Sequence, residues 1–96
     1  MKHAKILIVE DDPGIQEMLK FSLAAEGYQI EQATTVKDAW SLIENKALDL
    51  VLLDWMLPDN SGIDLLHRIR KYHSILPVIM VTAKSEEDDR VLGLDV

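Results

Sequence analysis

Two short apolar runs in this chain each stop on carboxylates: Ile6-Leu7-Ile8-Val9 runs into Glu10-Asp11-Asp12, and Leu50-Val51-Leu52-Leu53 runs into Asp54. Continuous apolar stretches of this length predict strands buried on both faces, because no alternating position is left for water. A buried strand that ends on an ionised Asp carries a desolvation cost, so a cation or hydrogen-bond donors must stand opposite Asp54. If the two runs are neighbouring parallel strands, their carboxyl ends bring Glu10, Asp11 and Asp54 to one edge. In an open α/β sheet that edge is where ligands bind. Three acids in one crevice repel each other and make sense around a bound cation, and oxygen-only donors favour Mg²⁺, Ca²⁺ or Mn²⁺.

The segments between and after these runs alternate in period. Pro13 suits a first helical turn, Ile15, Met18, Leu19, Ser22 and Leu23 follow a 3.6-residue repeat, and Gly27 supplies a stop. The pattern predicts a helix ending near Glu26 with its apolar side mainly in the core. Tyr28 to Ala33 carries a weaker, mixed pattern expected of an edge strand. Thr35 and Asp38 form a capping box with Asp in place of Glu, and Val36, Ala39, Trp40 and Ile43 stripe a second helix that ends at Asn45-Lys46. After the turn-rich Pro58 to Gly62, Ile63, Leu65, Leu66, Ile69 and Tyr72 stripe a third helix. Arg68, Arg70 and Lys71 lie toward its C-terminus, where cations suit the dipole. Pro77 to Val81 is a fourth buried strand leading into Thr82-Ala83. Ser85 to Asp89 opens a fourth helix whose apolar side, Val91, Leu92 and Leu94, is short. Strand and helix thus alternate four times, which predicts an α/β fold with a doubly wound parallel sheet.

The bulk composition removes several classes of function. At 96 residues the chain makes one domain, and 48% hydrophobic residues suffice to fill its core. The absence of cysteine excludes disulfides, thiolate metal sites and Cys nucleophiles, and suits a reducing cytoplasm. A net charge of -7 argues against direct binding of a nucleic-acid backbone by this segment. No run approaches the roughly 20 apolar residues of a membrane span, and the short lead before Ile6 is not a signal peptide. The expectation is a soluble cytoplasmic domain with no membrane contact.

Ile6 to Asp12, Leu52-Leu53-Asp54-Trp55-Met56-Leu57-Pro58 with Gly62 after it, and Val81-Thr82-Ala83 together resemble the receiver domain of bacterial two-component response regulators. The Glu-Asp-Asp and Asp-Trp-Met-Leu-Pro versions are most similar to the phosphate-regulon subfamily, whose members carry a winged-helix DNA-binding domain after the receiver. The resemblance implies a flavodoxin-like fold in which Asp54 accepts a phosphoryl group from a phosphohistidine of a sensor histidine kinase. It implies Mg²⁺ held by Glu10 (through water), Asp11, Asp54 and the Met56 backbone carbonyl. The Thr82 hydroxyl and the Ala83 backbone N–H would hydrogen-bond the phosphoryl oxygens. It further implies a homodimer in the phosphorylated state, through the face around the fourth helix, and DNA contact only through an output domain outside this chain. The family's fifth strand and helix, with a lysine that pairs with the phosphoryl group, have no counterpart before Val96. The sequence therefore reads as a receiver truncated before that unit, with the edge of its fourth strand exposed.

Plainer readings stand beside these. Asp54 could cap a loop, Asp12 reads better as a helix cap than as a metal ligand, and Thr82 could be an ordinary β-branched strand residue. Trp40 and the side chains of Trp55 and Met56 read as packing, and His3, His67 and His73 as solvated. Three other functions compete with the signalling switch. An inactive receiver used only for protein contact would keep the fold without the chemistry. An aspartyl phosphohydrolase would be expected to carry a second Asp where Met56 stands. A nucleotide or flavin binder would need a Gly-rich loop where Glu10-Asp11-Asp12 stand.

Overall fold

The computed structural model describes residues 4–54, 57 and 62–81, together with the backbone of 92–94. The elements run β1 (Lys5–Val9), α1 (Pro13–Ala25), β2 (Gln29–Ala33), α2 (Val36–Asn45), β3 (Leu50–Asp54), α3 (Gly62–Tyr72), β4 (Val78–Val81) and β5 (Leu92–Leu94). One sheet holds all five strands in the order β2-β1-β3-β4-β5. The chain winds from β1 outward to β2, then returns to the other side of β1 to lay down β3 and β4. The switch between the two directions lies between β1 and β3, and ligand sites of doubly wound sheets open at the carboxyl ends of the strands flanking such a switch.

Register decides what those ends present. β1 pairs in parallel with both neighbours, with Val9 opposite Ala33 of β2 and opposite Leu53 of β3. Glu10 and Asp54 each follow one of these partners, so they leave the sheet at the same level. β4 continues the parallel set, with Asp54 opposite Val81. Leu7, Val51, Leu53, Leu65 and Ile69 are fully buried and, with Val9, Ala39, Ile43, Val78 and Met80, make the core beneath α2 and α3. The run Ile6 to Val9 is enclosed on both faces as its composition predicts, whereas in β3 Val51 and Leu53 are buried and Leu50 and Leu52, on the other face, are half-buried.

Helix ends follow the predicted chemistry. The Asp12 carboxylate caps α1, its Oδ1 accepting from the N–H groups of Gly14 (2.8 Å) and Ile15 (3.1 Å). The Thr35 hydroxyl caps α2 by accepting from the Asp38 N–H at 3.1 Å. Gly27 follows α1 at φ 97°, a left-handed conformation that ends the helix with little cost for glycine.

Two expectations are corrected. The expected core side of α1 is only partly enclosed: Ile15, Leu19 and Leu23 are half-buried, Met18 (55%) and Ser22 are exposed, and the one buried residue of the helix is Gln16, while Phe21, outside that stripe, is 79% exposed. Leu92 and Leu94, assigned above to the apolar side of a fourth helix, instead belong to β5, which pairs antiparallel with β4. Unpaired N–H and C=O groups along the edge of β4 are strong hydrogen-bonding sites, and a three-residue apolar side around Gly93 gives a helix little to hold it. The edge of β4 expected to be bare is thus covered. Ser85 to Asp89 and Val91, the rest of that predicted helix, lie outside the described residues. Among the described residues no helix is long and apolar enough to cross a membrane.

Candidate metal centre

The carboxyl ends of β1 and β3 deliver what the register promises. Glu10 (2% exposed) and Asp54 (0%) are buried, Asp11 is half-buried, and one carboxylate oxygen from each of the three lies within 4.8 Å of the others. Two unit charges at such a separation repel by on the order of 3 kcal/mol at an effective dielectric of about 20. A cluster of this kind is favoured once a cation joins it. All three donors are hard carboxylate oxygens, without nitrogen or sulfur, and this set fits a hard divalent ion such as Mg²⁺, Mn²⁺ or Ca²⁺.

The backbone around the acids is held tightly. The Glu10 N–H donates to the Ala33 carbonyl at 3.0 Å, extending the β1–β2 ladder one residue past the strands, and Glu10 Oε2 accepts from the Asp12 N–H at 2.9 Å. Asp12 is accordingly a cap and a donor to a site residue, as its sequence position suggested, rather than a member of the acid group. Across the site, α3 begins against the end of β3: a Cβ on Gly62 would run into the Asp54 carbonyl oxygen, so only glycine permits this approach. Met56, Thr82 and Ala83, which the resemblance assigns to the site, lie outside the described residues.

Sequence reasoning missed Gln16. Its amide Nε2 donates toward three carbonyls, Ile8 at 3.1 Å, Glu10 at 3.0 Å and Ala33 at 2.8 Å, and its Oε1 accepts from Gln32 Nε2 at 2.8 Å. A glutamine within an amphipathic helix reads as part of the wet face. The one available signal was its place one turn into a helix that starts directly after the acids.

Among the described residues, His67 and His73 stay away from this centre. His67 is exposed, while His73 Nε2 lies 2.9 Å from Glu44 Oε2 and its ring meets Trp40 edge-on at 5.7 Å between centroids. Trp40 also packs edge-on against Tyr72 and beneath the Arg68 guanidinium, 5.0 Å from the ring centroid, which bears out its reading as a packing residue. A cavity of about 750 Å³ beside this cluster is lined by Leu48, Asp49, Tyr72, His73, Ile75 and Pro77, at the end of the sheet opposite the acids.

Comparison with known proteins agrees with this geometry. The profile of the response regulator receiver domain matches residues 6–96. The phosphate regulon transcriptional regulatory protein PhoB of Pseudomonas aeruginosa is 43% identical over 93 residues, covering 95% of this chain and 41% of that protein. The transcriptional regulatory protein PmrA of Pectobacterium parmentieri is 49% identical over 92 residues, covering 96% of this chain and 41% of that protein. The chain thus spans about two fifths of the length of these curated relatives. Among solved structures, the response regulator TrrA of Thermotoga maritima in complex with Mg²⁺-BeF superposes with a TM-score of 0.81 at 38% identity, over 85% of this chain and 71% of that one. The same regulator in complex with the histidine kinase ThkA gives a TM-score of 0.80 at 37% identity, over 86% and 72%. With its strand order, its acid-bearing strand ends and these matches in agreement, the chain belongs to the response regulator receiver domain family.

Proposed function

We propose that this receiver is a phosphorylation switch in which Asp54 is the phosphoacceptor. The observation that carries the reading is the fully buried Asp54 carboxylate gathered with Glu10 and Asp11 at the switch point of the sheet. Asp11, Asp54 and, through water, Glu10 would hold Mg²⁺, with the Met56 carbonyl as a further ligand. When bound, the ion supplies charge neutralisation for the transferring phosphoryl oxygens. The chain's own residues do the rest. An Asp54 oxygen forms the new P–O bond as the P–N bond of a phosphohistidine donor breaks. The burial of Asp54 and the packed ends of β1 and β3 fix the line of attack, and Thr82 and Ala83 hydrogen-bond the product. Phosphoryl transfer asks little covalent work of a protein beyond such placement.

The donor in this reading is a sensor histidine kinase, a role supported by the ThkA–TrrA complex. The modified Asp54 gains about two negative charges and strong acceptor oxygens. That change would bias the packing of the segment after β4 and favour a homodimer. PhoB and PmrA are named as transcriptional regulators, so the output is control of transcription by a DNA-binding domain joined to this one in a longer protein. The setting is the cytoplasm. On this reading the chain promotes its own modification and dephosphorylation without turning over a separate substrate.

Incubation with Mg²⁺ and a small-molecule phosphodonor, followed by intact-mass measurement, tests the proposal. Wild type should gain one phosphoryl group that Asp54→Ala does not, and the gain should vanish with a chelator. Equal modification of the Asp54→Ala variant would remove Asp54 from the role, and rapid turnover of the donor without an adduct would favour a hydrolase.

A further inference from the structure

Glu10 occupies the first position after β1, where its N–H still pairs with the Ala33 carbonyl of β2. Its carbonyl is engaged too, because it accepts from the Gln16 amide at 3.0 Å, and the same amide reaches Ile8 and Ala33. Two N–H groups serve three acceptors, so one hydrogen is shared. The three carbonyls settle which way the amide is turned, since they only accept: Gln16 Nε2 faces them, and Gln16 Oε1 is left to accept from Gln32 Nε2. The Ala33 carbonyl receives both the Glu10 N–H and the Gln16 amide. Glu10 is therefore held at its N–H, at its C=O and, through Asp12, at its carboxylate.

We infer that Gln16 is a positioning residue for the divalent-ion site, fixing the backbone of Glu10 so that its carboxylate faces those of Asp11 and Asp54, with Gln32 bracing the Gln16 amide. This rests on the reading of the three acids as a metal centre. Gln16 touches neither ion nor substrate and acts through Glu10. It is 3% exposed and comes from α1, so it ties the helix to the carboxyl ends of β1 and β2 at the level of the acids. Groups that orient metal ligands commonly alter metal affinity by ten-fold or more when removed.

The test is a Mn²⁺ titration of the whole chain, with free ion followed by electron paramagnetic resonance, on wild type, Asp11→Ala, Gln16→Leu, Gln32→Leu and Ile43→Val. Ile43 is a buried core residue of α2, and its loss of one methyl group lowers stability without touching the site. Wild type should bind one ion and Asp11→Ala should lose it. Gln16→Leu should bind about ten-fold more weakly, Gln32→Leu should be weakened in the same direction but less, and Ile43→Val should match wild type. Wild-type affinity in Gln16→Leu overturns the positioning role while leaving the metal centre standing. Should Gln16→Leu not fold, wild-type affinity in Gln32→Leu overturns it equally. A weakening in Ile43→Val as large as in Gln16→Leu assigns the effect to stability and also overturns it. Failure of the wild type to bind any ion removes the metal centre and this inference together.

Discussion

Asp12 performs two tasks with different atoms, which makes them separable. Its carboxylate caps α1, whereas its backbone N–H serves Glu10 Oε2. Asp12→Ala removes the cap and keeps the N–H, so stability should fall by about 1 kcal/mol in urea unfolding while the Mn²⁺ affinity stays near wild type. A large loss of ion binding would make Asp12 a ligand after all. The capping role was legible because Asp12 stands directly before Pro13, a position whose chemistry is local. Gln16 was not legible, because its partners are three carbonyls and an amide distributed over two strands, and sequence spacing says nothing of distant backbone groups. Glu10, Asp11 and Asp54 were legible as a group for the opposite reason: each follows a buried run, and parallel pairing alone brings such ends together. The roles expected of Met56, Thr82 and Ala83 rest on the motif alone.

At the level of elements, α1 is held by its caps, by Gln16 and by an apolar side, Ile15, Leu19 and Leu23, that is only half-buried. Its existence could be read from Pro13, the repeat and Gly27, but its orientation could not, since Ile15, Met18 and Leu19 match a buried stripe as well as a half-wet one. The exposure values lead to a contrast. Phe21→Ala should change stability by less than about 0.5 kcal/mol, as for other exposed sites, although Phe21 is the only phenylalanine in the chain. Leu53→Ala should cost about 2–5 kcal/mol, because Leu53 is fully buried in β3. Matched denaturant curves for the two variants check this, and a large effect at Phe21 would mean that the outer side of α1 is covered in solution. The assignment of Leu92 and Leu94 to a helix failed for a related reason. A period read over so few residues is weak, and the open edge of β4 supplies hydrogen bonds that local pattern does not reveal.

Considered as one molecule, the domain holds three carboxylates together at the cost of mutual repulsion, so its stability is linked to whatever binds them. Ion binding to the folded state alone should raise unfolding free energy by about 2.7 kcal/mol at a concentration 100-fold above Kd. Thermal unfolding with and without Mg²⁺ checks this, and a chelator should reverse the gain. In metal-free buffer Asp54→Asn removes one charge from the cluster and should raise the unfolding midpoint, while reducing the increment that Mg²⁺ confers. A fall in the metal-free midpoint would show that the Asp54 charge is compensated within the protein. The parallel alignment that sets Val9 beside Leu53 has one more consequence. A slip of β3 by a single residue would turn every side chain of the strand over and point Asp54 away from Glu10. Ion affinity therefore reports whether two segments some forty positions apart have been threaded in the intended phase, and a misassembled chain would betray itself by indifference to magnesium.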